Sequence, residues 1–170
     1  MGASRQSKVA IMNSVENSLV ALLREKPFND IFICELCERA GVGRSSFYRY
    51  YASKEDVMIS LLLREWYAWR HQEGSNDYNV ISHESACSFI RHCYALRDLF
   101  DLIYSNELDR LFPTIIKKNA EGSEGGKNYK ISFFCYGVFG ILRDWWERGC
   151  EESPEYLIKI LEEVCPSVED

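Results

Sequence analysis

The chain has no apolar run approaching the ~18–20 residues that a membrane-crossing helix requires, so no spanning segment is expected and no membrane is expected among its partners. Met1 to Lys8 is polar, with no apolar stretch behind a basic start, so a secretory leader is not expected and a cytoplasmic protein is. There is no Gly-x-Ser-x-Gly elbow, phosphate-cradling glycine loop or dinucleotide fingerprint. Carboxylates are scattered over solvated faces, so no residue argues for an enzyme and no cofactor is expected. No internal repeat or low-complexity tract occurs. The seven cysteines are an odd number, which argues against a complete set of internal disulfides. In a reducing compartment they stay as thiols.

What is present describes a soluble globular protein: 170 residues, 46% apolar and 27% charged, enough chain for one or two small helical units with a genuine core. The net charge of −6 is unevenly divided. Residues 1–54 carry a balance of +3 and residues 55–170 a balance of −9. A locally basic segment attracts phosphate whatever the total, and the acidic remainder is repelled by a duplex.

Apolar positions Ile11, Val15, Leu19, Leu22 and Leu23 recur at three- and four-residue spacing, which predicts a helix over 8–25 stopped by Pro27. Asp30 is the nearest cap for a second helix reaching Ala40, with Leu36, Cys37 and Ala40 inward and Gly41 at the turn. A third short helix is expected from Arg44 to Tyr51. Ser53 and Asp56 form a capping pair that opens a long helix to Gln72, and 73–77 is a polar break. Helices are expected over 82–96, 97–105 and 107–119, then a loop at 121–126 and a long apolar helix over 129–148 closed by Gly149. Ser153-Pro154 opens a last helix ending near Cys165-Pro166. The fold class is therefore all-α: an N-terminal three-helix helix-turn-helix unit (1–54) joined by a long helix to a C-terminal helical unit (55–170).

The most informative stretch runs from Ile31 to Asp56. Its third helix gathers Arg44, Ser45, Ser46, Tyr48, Arg49 and Tyr50 around one apolar anchor, Phe47. So many donors with so little to bury suit a polar surface, and the helix-turn-helix around them suggests duplex DNA. Arg44, in the first turn, is in reach of a guanine edge or a phosphate. Ser45 and Ser46 are small enough to let the helix enter a groove, and Tyr50 is able to pack on a thymine methyl.

With Leu36, Ala40-Gly41-Val42, Phe47-Tyr48 and Ser53-Lys54-Glu55-Asp56 in place, the segment from Lys8 to Asp56 resembles the DNA-binding domain of the TetR family of bacterial transcriptional regulators. Two positions differ: Phe32 stands where the family often has Thr, and Gly43 where it usually has Ser. The resemblance implies that Tyr48 and Lys54 contact phosphate, that the protein is a homodimer on a palindromic operator, and that it is more often a repressor than an activator. Two helices about one duplex turn apart, ~34 Å, would read such a site.

Gly137 to Glu155 also resembles the C-terminal region of Firmicutes-type members, whose last two helices form a four-helix dimer interface. The interface residues implied here are Phe133, Ile141, Trp145, Tyr156, Leu157, Ile160, Leu161 and Val164, with Gly137 and Gly140 allowing close approach. The family's inducer pocket would be lined by Trp66, Trp69, Phe89, Tyr94, Phe100, Tyr104, Phe134 and Tyr136, or these aromatics are ordinary core. A small organic ligand or a partner protein would cause release. Two other readings stand beside this one. The chain is a helical interaction module or enzyme with an incidental helix-turn-helix, or it is a thiol or metal sensor using Cys87 and His83. Cys34-x-x-Cys37 has half a zinc motif, but no second pair completes a tetrahedral site, so no metal is expected.

Overall fold

A computed structural model describes residues 2–72, 83–120 and 129–164. Among the described residues the regular elements are helices in the order α1 (Gly2–Leu23), α2 (Ile33–Ala40), α3 (Arg44–Tyr48), α4 (Lys54–Gln72), α5 (His83–Ala95), α6 (Arg97–Ser105), α7 (Phe112–Ala120), α8 (Tyr129–Glu147) and α9 (Pro154–Val164). Short 3-10 turns at Phe28–Asp30 and Leu108–Leu111 interrupt them. The all-α class is as expected, with a helix-turn-helix ahead of a long helix that runs into the C-terminal bundle. The polar break at 73–77, the loop at 121–126 and the expected end of the last helix near Cys165-Pro166 lie outside the described residues.

Local chemistry explains the boundaries, and it corrects several of them. Helix α1 starts at Gly2, well before Lys8, and its C-terminal carbonyl at Leu22 accepts from Glu25 and Lys26 N–H, both at 3.0 Å. Asp30 does not cap α2. Pro27 instead leads into a tight turn in which Asp30 N–H donates to Pro27 O and Ile31 N–H to Phe28 O. That turn buries Phe28 and Ile31, and it leaves Phe32, without a side-chain cap, at the N-terminal boundary of α2.

Helix α2 ends on Gly41, whose φ of 66° is the left-handed conformation that a residue without Cβ adopts freely. Val42 N–H closes the motif on Cys37 O at 3.0 Å, and the Ser14 hydroxyl donates to Ala40 O at 2.7 Å. Helix α3 stops at Tyr48, short of Tyr51, because the N–H groups of Tyr50 and Tyr51 both converge on Phe47 O and tighten the last turn. At α4 the capping pair forms: Asp56 N–H donates to Ser53 Oγ at 3.2 Å. The short aspartate reaches back one residue further than a glutamate would be needed to, accepting from Ala52 N–H at 3.0 Å. The helix expected over 107–119 is split, because Pro113 has no N–H to continue it. Glu107, at φ 55°, turns the chain into the 3-10 segment that buries Leu108.

The buried apolar residues form one connected cluster. Val15, Leu19, Leu36, Phe47, Val57 and Met58 centre its N-terminal part, and Ile90, Cys93, Ile103, Leu108 and Leu142 the rest. A polar seam joins the two parts. Phe28 N–H donates to Asn106 Oδ1 at 2.7 Å, and Asn106 Nδ2 donates in turn to Leu102 O at 2.8 Å. The turn before α2 is thereby tied to the end of α6.

The two turn glycines have opposite expected responses to substitution. Gly41→Ala meets no steric neighbour but forces a Cβ into the left-handed region, which costs ~1 kcal/mol. Gly43, at φ −71° with no side-chain cap, has room for a serine, so Gly43→Ser is expected to raise stability by a few tenths of a kcal/mol, roughly 0.3–0.5. Urea denaturation of both variants checks the pair of signs.

Candidate nucleic-acid interface

A five-residue helix is too short to persist alone, since nucleation is unfavourable and few bonds follow it. Here α3 is held through Phe47, which is fully buried; full burial of a phenylalanine contributes ~1.5–3 kcal/mol. Tyr48 packs edge-on against that ring at 5.3 Å, and Tyr51 lies against its other side at 5.6 Å. With the inward side fixed in this way, Arg44, Ser45, Tyr48 and Arg49 are exposed, and Ser46 and Tyr50 half-buried. Six of the seven residues expected to touch DNA are thus presented by one short segment.

The charges around it sort themselves. Lys26 pairs with Glu35 at 2.5 Å, and Arg39 grips Glu25 through both guanidinium nitrogens at 2.6 and 2.7 Å. Arg44 and Arg49 have no ion pair among the described residues. The reading segment therefore presents two arginines that no acid neutralises, with Lys8 adding its ammonium 5.8 Å over the Tyr50 ring.

Lys54, the seventh, is placed differently. Its ammonium donates to Phe28 O at 2.5 Å and Ile31 O at 2.9 Å, and lies 4.4 Å from the Phe28 ring centre. Desolvation in this position holds its pKa below that of an ordinary lysine. The amine serves the chain itself by clasping the turn before α2 to the start of α4, which leaves it one remaining N–H.

The described aromatic side chains among the eight expected to line an inducer pocket are not gathered round one cavity. Trp66, Trp69 and Phe89 pack against one another edge-on, 4.9–5.4 Å between ring centres. Tyr94 stacks on Trp145, while Phe100 and Tyr104 flank Trp146. Tyr136 is half exposed, and the side chain of Phe134 lies outside the described residues. The spaces left beside Trp66 are about 10 and 30 Å³, room for one water at most. Trp66 Nε1 and His92 Nε2 are buried beside them without a hydrogen-bond partner, as is Tyr104 Oη against Trp146.

The expected dimer residues also divide. Phe133, Tyr156 and Val164 are exposed, Ile141 and Ile160 half-buried. Trp145, Leu157 and Leu161 are buried within the single chain. The reason is local: the Trp145 indole closes the turn before α9 by donating to Glu152 O at 3.0 Å, and α9 packs on α5. Gly137 and Gly140 face open space.

Cys37 and Cys87 are buried, and burial raises both thiol pKa values, which leaves less of the reactive thiolate. The His83 side chain lies outside the described residues, and no group of three or more potential metal ligands occurs among them.

One polar cluster escapes a reading of the sequence alone. Glu16 is buried beneath the reading segment, where it accepts from Tyr51 and Ser60 and pairs with Arg64. Its signal was a lone acid between Val15 and Leu19, on the apolar side of α1.

Comparison with known proteins matches the chain in two stretches. The family described as "Bacterial regulatory proteins, tetR family" matches residues 18–61, and "Transcriptional regulator C-terminal region" matches residues 79–166. The HTH-type transcriptional regulator EthR of Mycobacterium tuberculosis is 40% identical over 57 residues, 34% of this chain, and that of Mycobacterium bovis is the same. The chain spans 24% of the length of these curated relatives.

The Lys54 geometry has a measurable consequence. Lys54→Met keeps the aliphatic stem but removes the donor to Ile31 O and leaves Phe28 O with the Ile31 N–H alone, a loss of ~1–3 kcal/mol. Equilibrium denaturation checks this. A variant as stable as the parent would release the amine from its structural duty and return it to the phosphate role.

Proposed function

The chain belongs to the tetR family of bacterial regulatory proteins, and from that premise we propose that it regulates transcription by binding duplex DNA through α3. The observation that carries this reading is the pairing of a fully buried Phe47 with exposed Arg44, Ser45, Tyr48 and Arg49. The serines let the helix enter a major groove closely, and the arginines supply contacts to guanine edges or phosphates. Residues 1–54 act as the reader and 55–170 as the regulatory and dimerising part.

The protein works as a homodimer on a palindromic operator, as a repressor. Support comes from α8 and α9, whose outer sides carry Phe133, Tyr136, Tyr156 and Val164 in contact with solvent. On α8 the open glycines Gly137 and Gly140 continue that row and allow a second copy to approach closely. In this proposal the four-helix contact has the Firmicutes-type form that the 137–155 segment resembles. The interface rests on the exposed members of the row, because Trp145, Leu157 and Leu161 belong to the protomer core.

Release follows from an effector that prefers a non-binding arrangement of the helices. The closed aromatic core around Trp66 and His92 is where a small apolar ligand with a hydrogen-bond acceptor would find the unbonded Trp66 Nε1–H. Such a ligand has to part the rings to enter.

Selection from random duplexes, followed by titration of the selected sequence against salt, tests the reading. Affinity is expected to fall steeply with salt, and each lost phosphate contact, as in Arg49→Ala, to reduce the log–log slope by about 1. In parallel, sedimentation of Phe133→Asp is expected to show monomers with weakened duplex binding. A parent protein with no salt-dependent duplex binding contradicts the regulator; a monomeric parent that binds one half-site contradicts the dimer alone.

A further inference from the structure

Glu16 is 1% exposed on the side of α1 that faces the reading segment and α4. A carboxylate in that position has to be matched by donors, and three residues supply them. The Tyr51 hydroxyl donates to Oε1 at 3.2 Å and the Ser60 hydroxyl to the same oxygen at 2.8 Å. The Arg64 guanidinium pairs with Oε2 while also donating to Asn13 Oδ1 at 3.1 Å and Glu65 Oε1 at 3.2 Å. One acid on α1 therefore receives the residue that ends the reading segment and two residues from successive turns of α4.

The bonds converge on α3. Tyr51 N–H donates to Phe47 O at 3.0 Å and its ring lies 5.6 Å from the Phe47 ring, so fixing Tyr51 fixes the anchor of the reading helix from its C-terminal side. Arg64 is the outward member, 40% exposed. It stands on the wall of an open groove of about 870 Å³ that also takes in Tyr50, Tyr51, Asp56 and Ser60. The assembly is thus a joint, buried at Glu16 and open at Arg64.

We propose that Glu16 is a positioning residue for DNA recognition: by holding Tyr51, Ser60 and Arg64 at once, it fixes the angle at which α4 presents α3 to the duplex. A shift of α4 breaks or strains the bonds to Ser60 and Arg64 and moves Tyr51 with them. The register of the reading helix then follows the long helix instead of floating on its short turns. The inference rests on the DNA-binding reading above, but it has a readout that needs no DNA.

Tyr51→Phe keeps the ring on Phe47 and deletes only the hydroxyl; Glu16→Gln keeps the size and an acceptor but removes the charge. Both are made in the full chain. Hydrogen exchange of the backbone amides is measured by mass spectrometry, and duplex affinity is measured on the selected sequence and on an unrelated duplex of equal length. The expected result for Tyr51→Phe is exchange over 44–51 faster by about tenfold, with α1 and α8 unchanged, as befits loss of one hydrogen bond to a buried charge. Affinity for the selected duplex falls by about tenfold while affinity for the unrelated duplex holds, since register matters for base contacts more than for charge.

Glu16→Gln, if folded, shows the same pattern; if it does not fold, Tyr51→Phe alone decides. A uniform rise in exchange across the chain, with both affinities falling together, would reduce Glu16 to a stabilising group and overturn the proposal. Unchanged exchange over 44–51 would overturn it as well. Should the parent bind no duplex, the DNA-binding reading fails while the exchange arm still tests the joint.

Discussion

The burial of one side chain, Phe47, governs how the rest of the N-terminal unit is arranged. Helix α3 has five residues and almost no capacity to hold its own shape. Its other side chains are polar or only partly covered, so the ring of Phe47 is the single strong attachment to the core. Everything on the opposite side is then available for chemistry. The surrounding elements serve that attachment: Gly41 turns the chain sharply between α2 and α3, and α1 and α4 add Val15, Leu19, Val57 and Met58 to the buried cluster that holds Phe47.

Polar groups do the finer positioning. The half-buried pair Lys26–Glu35 and the exposed pair Arg39–Glu25 are worth only ~0–1 kcal/mol each. Their greater consequence is electrostatic: they neutralise cations behind the reading segment and leave those upon it unpaired. Lys54 and Glu16 belong to another class, because each bridges separate elements through more than one bond, Glu16 buried and Lys54 half-buried. Leaving such a group without its partner costs several times what an exposed pair contributes. Lys54 fixes where the helix-turn-helix begins, and Glu16 fixes where it ends. The pairing of Glu16 with Arg64 also means that the acid does not oppose phosphate attraction, although a count over residues 1–54 charges it against the patch.

Much of this was legible in the sequence, and what was not has identifiable causes. The 3.6-residue periodicity of Val15, Leu19 and Leu22 gave α1, and Ser53 with Asp56 gave the start of α4, because those signals act locally. Asp30 misled because a proline-led 3-10 turn competes with capping when an aromatic such as Phe28 has a pocket to fill. From the sequence, Lys54 is expected to contact phosphate, since nothing in its neighbours announces two carbonyls from a turn more than twenty residues away. Apolar residues of α8 and α9 could not be divided between core and surface by composition. That division depends on α9 packing against α5, a contact set by tertiary geometry. Aromatic content likewise could not distinguish a pocket from a filled core, because both need the same residues.

The central claim is that the outer side of α3 lies in a major groove, and proximity of residue 45 to bases tests it most directly. A photo-crosslinking amino acid placed at Ser45 in the full chain, bound to a selected duplex, is expected to attach to bases at symmetric positions in the major groove. The same group at Tyr156 is expected to attach to protein. Crosslinks from position 45 to protein alone, or to no base in any bound duplex, would contradict the account.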